Sequence, residues 1–182
     1  AGDSTLLQQY VGRTAIDATG KLVMPGLINA HTHIPMIGFR GLGENGIRDR
    51  LFGFFFPLEK AFVDAEFVYQ TSLHACVEMV SGGVTTFADM YYFMDGEAVA
   101  AKQIGMRAVL GETIINFAAP DAATPDIAIR KAVELVERYA GDALIIPAFA
   151  PHSPYTLAEE YLRQVSDLAL QYDAPVIIHM AE

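Results

Sequence analysis

The chain has 182 residues, 52% of them hydrophobic, and 12 Lys and Arg against 22 Asp and Glu give it a formal net charge of -10. That apolar content supports one sizeable core, while the acidic balance works against a phosphate backbone or an anionic membrane surface as partner. A single cysteine, Cys76, excludes an internal disulfide framework and fits a reducing cytoplasm, where the protein is expected to reside.

Ala1–Tyr10 has no basic region followed by a long apolar run, and no stretch reaches the roughly 20 apolar residues of a membrane span. The chain enters what reads as mid-domain sequence almost at once, as a fragment would. From Gly20 onward, short apolar runs alternate with amphipathic stretches. Leu22–Ala30 is a first strand, bent at Pro25-Gly26, that leads into His31-Thr32-His33. Ile34–Pro57 is rich in glycine and aromatics without a clear period, and reads as a long loop with at most short helical turns; loops of that length are usually functional. Val63–Ser81 has helical spacing and stops at Gly82-Gly83. Val84–Met90 is a second strand, and Asp95–Gly105 a short helix with Asp95 as its N-cap. Met106–Glu112 is a third strand. After a loop over Asn116–Asp126, Thr124-Pro125 opens a helix to about Ala140. Ala143–Ala150 is a fourth strand and Pro151–Tyr155 a tight loop. Thr156-Leu157-Ala158-Glu159 matches a capping box for a helix to about Tyr172. Ala174–Met180 is a fifth strand.

Apolar strands separated by amphipathic helices imply an α/β fold with a parallel sheet covered by helices. Five strands and four helices suit an open doubly wound sheet or part of a (β/α) barrel, and periodicity does not choose between them. A nucleotide-binding open sheet needs a glycine-rich loop after its first strand, where His31-Thr32-His33 stands instead.

Ligands of parallel α/β folds bind at the C-terminal ends of the strands. Those ends carry His31-Thr32-His33, Asp89, Glu112, His152 and His179, so four of the five histidines fall there. Residues two apart in a strand project to one face, which lets His31 and His33 reach one ion. His179 supplies a third imidazole, and three protein ligands with an open position is the catalytic zinc pattern. A lone His-x-His is a weak signal, and surface histidine is its ordinary explanation; the apolar strand that feeds into the pair is what raises it. Asp89 and Glu112 either orient a ligand histidine or cap the next helix. His74 reads as a partly buried helix residue and Cys76 as a small core residue. Met36, Met90 and Met94 read as pocket lining or core.

Pro25-Gly26-Leu27-Ile28-Asn29-Ala30-His31-Thr32-His33 resembles the first-strand signature of the amidohydrolase superfamily. Pro35-Met36, Phe39-Arg40-Gly41-Leu42, Pro57-Leu58-Glu59, Gly82-Gly83-Val84-Thr85-Thr86, Ala150-Pro151-His152-Ser153-Pro154-Tyr155 and His179-Met180-Ala181-Glu182 resemble its deaminase and chlorohydrolase branch. The likeness covers nearly all of residues 16–182 and is far more specific for the branch than for a substrate. It implies a partial (β/α)8 TIM barrel, about the first five strands and four helices. Residues 1–24 would then be the remnant of a small β-sandwich domain, and residues 25–182 the first half of the barrel, truncated after strand five. It implies one divalent metal, zinc first and iron second, on His31, His33 and His179. Glu182 would be the acid/base residue, with Glu59 and His152 binding substrate. No lysine stands in Ala148–Ser153, which argues for a one-metal site.

The implied activity is hydrolytic deamination of a purine- or adenosine-like heterocycle by metal-activated water, with Glu182 shuttling the proton. A chlorohydrolase acting on triazine-like rings is the alternative. Thr113–Phe117 stands where adenosine-type deaminases present arginines, a departure from that pattern. A sixth-strand histidine and an eighth-strand aspartate of the family have no counterpart in these 182 residues. The chain alone is therefore expected to turn over little or no substrate, to hold metal weakly or not at all, and to retain at most binding or structural character. Unpaired strand edges predict a homo-oligomer, with no nucleic acid or membrane partner.

Overall fold

The computed structural model describes residues 9–10, 12–43 and 46–181. Four strands, β1 (Leu27–Thr32), β2 (Val84–Tyr91), β3 (Arg107–Ile114) and β4 (Ile145–Pro151), form one sheet in the order β1-β2-β3-β4, and every pair is parallel. Each crossover moves one strand over in the same direction. A doubly wound sheet reverses direction at its switch point; an order without reversal is that of successive (β/α) units in a barrel.

Among the described residues five α-helices accompany the strands: α1 (Phe56–Phe62), α2 (Ala65–Ser81), α3 (Met94–Ile104), α4 (Pro125–Arg138) and α5 (Glu159–Tyr172). α2 starts where the Asp64 carboxylate accepts the Phe67 N–H at 2.8 Å, which satisfies one of the orphan amides of a first turn. α4 starts as its sequence predicts, with Thr124 accepting the Ile127 N–H and Pro125 at the first position. Gly105 ends α3 at a φ of 83°, a left-handed conformation that costs glycine little. The core has two parts. Phe87, Leu110, Met94, Met106 and Ile145 pack between the sheet and α2–α3; Ile114, Phe149, Ile129, Leu157 and Val165 pack beneath α4 and α5.

Several local expectations give way to tertiary contacts. The segment after β1 carries the short helical turns its sequence allows, a 3-10 turn over Ile34–Phe39 and a π-turn at Leu51–Phe55, but the second runs straight into α1. Asp95 does not cap α3. The helix begins one residue earlier, after Phe93 in a left-handed conformation, and the Met94 N–H donates to the Glu112 carboxylate at 3.1 Å. The capping box at Thr156–Glu159 is also absent, because Ala158 precedes α5 and the Thr156 hydroxyl bonds His152 and Ser153 instead. The fifth strand over Ala174–Met180 is reduced to one parallel bridge, Phe149 with Val176. Its backbone still follows β4: Phe149 N–H donates to Pro175 O, Ile177 N–H to Phe149 O, and His179 N–H to His152 O. Pro175 has no N–H to extend that ladder. Among the described residues before Leu27 there is a turn at Ala18–Lys21 but no strand.

Candidate metal centre

β1 delivers His31 and His33 to its carboxyl end, and the segment beyond β4 delivers His179. The three imidazoles each offer a nitrogen, and those nitrogens lie within 4.8 Å of one another. His31 Nε2 and His179 Nε2 are 3.2 Å apart. Two nitrogens bonded to one tetrahedral zinc at 2.0–2.1 Å stand about 3.3 Å apart, so the spacing suits such an ion.

The ring orientations suit it too. His33 Nδ1 lies 2.7 Å from Met90 O, and His179 Nδ1 lies 2.9 Å from His152 O. A carbonyl oxygen only accepts, so both Nδ1 atoms carry the proton and both Nε2 atoms present a lone pair. A carbonyl behind the distal nitrogen is the usual support of a metal-binding histidine. Two imidazole lone pairs facing each other would repel, so His31 and His179 call for a cation or a proton between them.

Glu59, on α1, is buried beside this cluster. Its Oε1 accepts the Tyr91 hydroxyl at 2.9 Å. Burial pushes its carboxyl up to about 7, with hydrogen bonds from Tyr91 and Tyr92 opposing the shift. His152, directly after β4, is buried and fixed by its Nδ1 edge to Thr156 Oγ1 at 2.9 Å. Its ring centroid lies 4.9 Å from that of His179. One cavity of about 160 Å³ is lined by His33, His179, His152 and Glu59 together with Met36, Met90 and the two tyrosines. A second, of about 350 Å³, shares Phe56 and Tyr92 with it and continues along Phe52 and Phe117, with Lys60 as its cation.

The structure thus brings five of the six sequence-predicted site residues to one place; Glu182 lies outside the described residues. Asp89 and Glu112 do not touch the histidine rings in the way anticipated. Asp89 Oδ2 accepts the Ile34 N–H at 2.5 Å and lies 2.6 Å from the Thr32 hydroxyl; burial pushes its carboxyl up to about 7 against hydrogen bonds from Thr32, Ile34 and the Met90 amide. Glu112 caps α3, the helix before its strand rather than the one after. His74 is exposed on α2, 3.5 Å from Glu78, not partly buried. Cys76 is fully buried, with its thiol pushed up to about 12 chiefly by burial, an inert core residue. Met94 is core, whereas Met36 and Met90 line the cavity. Sequence reasoning missed Tyr91 and the Phe52–Phe56–Phe117 wall. Tyr91 ends β2, so the strand-end rule that selected the histidines could have found it; the wall comes from three separate loop and helix positions and has no local signal.

Parallel β/α units in barrel order, with three imidazoles gathered at the carboxyl ends of the strands, make a (β/α)-barrel type of fold with a candidate metal site at its mouth. Residues 22–182 match the Amidohydrolase family, and the chain belongs to it. It is 39% identical over 176 residues to a 5-methylthioadenosine/S-adenosylhomocysteine deaminase of Syntrophus aciditrophicus, covering 96% of this chain and 40% of that protein. It is likewise 39% identical over 170 residues to a 5'-deoxyadenosine deaminase of Methanocaldococcus jannaschii, covering 92% of this chain and 40% of that one. Among solved structures, an adenosine deaminase from Xanthomonas campestris with bound zinc superposes with a TM-score of 0.82 at 40% identity, over 86% of this chain and 36% of that one. A triazine hydrolase from Arthrobacter aurescens superposes at 0.77 with 18% identity, over 85% and 40%, which shows a shared fold alone. The chain therefore spans about two fifths of the length of the curated relatives it matches.

Proposed function

We propose that this chain is the metal-binding first half of a deaminase that hydrolyses the exocyclic amino group of an adenosine-like nucleoside. The observation that carries the reading is the cluster of His31, His33 and His179, two of which, His33 and His179, line one cavity with the buried Glu59. The relatives at 39–40% identity, all named as adenosine-type deaminases, support the substrate class. When bound, a divalent ion, zinc by preference, supplies a Lewis acid that makes hydroxide available near neutral pH.

His31, His33 and His179 hold the ion through Nε2. Glu59 binds substrate: its buried carboxyl, bonded by Tyr91 and Tyr92, has remaining lone pairs to offer a sugar hydroxyl. His152 binds the heterocycle, held in place by Thr156. Glu182, three residues after His179, carries the proton from water to the ring nitrogen and on to the leaving ammonia. The apolar wall of Phe52, Phe56 and Phe117 favours an uncharged group at the far end of the substrate. Triazine dechlorination has only the shared fold behind it and is not favoured. No helix among the described residues is long and apolar enough to cross a membrane, and we place the protein in the cytoplasm.

Elemental analysis tests the metal reading. About one zinc or iron per chain of a longer protein that contains these residues, lost in His31→Ala, is the expected result; no metal in that longer protein overturns the proposal. The deaminase reading predicts ammonia release from 5'-substituted adenosines by the longer protein, and none from residues 1–182 alone.

A further inference from the structure

The end of β1 that carries two histidines is the least regular part of the sheet. Its register against β2 shifts between Leu27 and Ile28 and again between Asn29 and Thr32. The strand then leaves the sheet at His33 and enters the 3-10 turn at Ile34, with no side-chain cap from His33. Backbone pairing therefore does not fix the two ligands as it fixes the middle of β2 and β3.

A side chain takes over that task. Asp89 is 1% exposed, and its Oδ2 lies 2.6 Å from the Thr32 hydroxyl and 2.5 Å from the Ile34 amide. Thr32 stands between the two histidines, and Ile34 directly follows the second. The next residue of β2 grips the same stretch from the other side, since His33 Nδ1 donates to Met90 O at 2.7 Å. Burying a carboxyl costs several kcal/mol unless its bonds are made, and Asp89 Oδ1 has no hydrogen-bond partner among the described residues. A leucine would fill the position at less cost. An expensive group with one oxygen shared between the Ile34 amide and the Thr32 hydroxyl, itself 2.7 Å from Ala88 O of β2, calls for a purpose there.

We infer that Asp89 is a positioning residue of the metal centre, clamping Thr32 and Ile34 so that His31 and His33 present their nitrogens to one ion. The inference rests on the metal reading above. Oriented ligands keep their affinity because the site is organised before the ion arrives, and losing such support typically costs 10–100-fold in metal affinity. The clamp needs an acceptor at Oδ2 and not a charge, so the asparagine carbonyl serves as well.

Zinc affinity, read by competition with a chromophoric chelator, tests this on a longer protein that contains the chain and on its variants, each first checked for folding by circular dichroism. Asp89→Ala should bind zinc about 10–100-fold more weakly, and Asp89→Asn should recover most of that loss. Thr32→Val, which removes only the hydroxyl, should lose several-fold and serves where Asp89→Ala does not fold. Glu97→Gln is the control: Glu97 is equally buried on α3, with no bond to β1, and its replacement should move the melting temperature without moving zinc affinity. Unchanged affinity in folded Asp89→Ala or in Thr32→Val, or equal losses in Asp89→Asn and Asp89→Ala, overturns the clamp while leaving the metal site standing. A longer wild-type protein containing this chain that takes up no zinc overturns the metal reading, and the clamp's purpose with it.

Discussion

β3 and β4 run in unbroken register over seven residues, from Ala108 opposite Ile145 to Ile114 opposite Pro151, and between them bury Leu110, Ile114 and Phe149 completely. β1 slips twice against β2, and its Leu27 and Ile28 are 50% and 70% exposed. In the first region ladder bonds and apolar burial fix the strands. In the second the chain is held by ties through individual side chains: Thr32 and Ile34 to Asp89, His33 to Met90 O, Arg40 to Glu78. Stability resides where the ladder is regular, and ligand placement where it is not, as expected when functional segments are drawn from the less stable parts of a fold.

The largest effect should come from breaking the regular end. Phe149→Ala removes a fully buried ring and should cost about 3–5 kcal/mol in urea unfolding, whereas Ile28→Ala on the exposed strand should stay within about 0.5 kcal/mol. Comparable costs at both positions would erase the contrast. Zinc should supply the irregular end with what its ladder lacks. At a hundredfold excess over Kd, bound metal adds about 2.7 kcal/mol of stability, seen as a raised melting temperature in the wild type and as no shift in His179→Ala.

Glu59 gives a third, pH-dependent effect. Its carboxyl sits near 7 when folded and near 4.3 when unfolded, so the folded state binds the extra proton between those values. Stability from this group is full below about pH 4 and is lost as pH rises toward 7. Glu59→Gln, which cannot ionise, should therefore be more stable than the wild type at pH 8, by up to about 3.7 kcal/mol, and level with it at pH 4. A gap that stays constant with pH would show that burial does not hold the proton on Glu59.

Much of this was legible because the physics is local. The period of two in a strand places His31 and His33 on one side, and the binding rule for parallel sheets singles out strand ends, which gathers His152 and His179 with them. Thr124-Pro125 announces α4 because both signals act within one turn. The misreadings share one cause: a partner distant in sequence outbids a local one. Asp95 yields the start of α3 to Glu112, eighteen residues beyond Met94, and Thr156 gives up its helix to hold His152. Glu59 stood out only through a resemblance, since an acidic residue on a short helix has no pattern of its own. Its burial against Tyr91 arises only when α1 folds over β2. The fifth strand could not be judged from apolar residues alone, because a strand exists through its pairing, and Pro175 removes a donor from that pairing.

The smallest effect concerns the outermost tie. Arg40, at the end of the 3-10 turn, meets Glu78 on α2 through two parallel bonds of 3.0 and 2.6 Å, with the side chains 63% and 46% exposed. The geometry is good and the paired charges favour one another, raising the guanidinium and lowering the carboxyl from their ordinary values. Water and salt nevertheless screen an exposed pair, and holding two long side chains still costs entropy. Arg40→Gln should leave the melting curve within replicate scatter at physiological salt and leave zinc affinity unchanged, in contrast to the buried tie at Asp89. A several-fold loss of zinc affinity in Arg40→Gln would mean that the exit of β1 is held from the surface as well as from the core. The distinction between buried and exposed ties would then fail at the very segment where it matters.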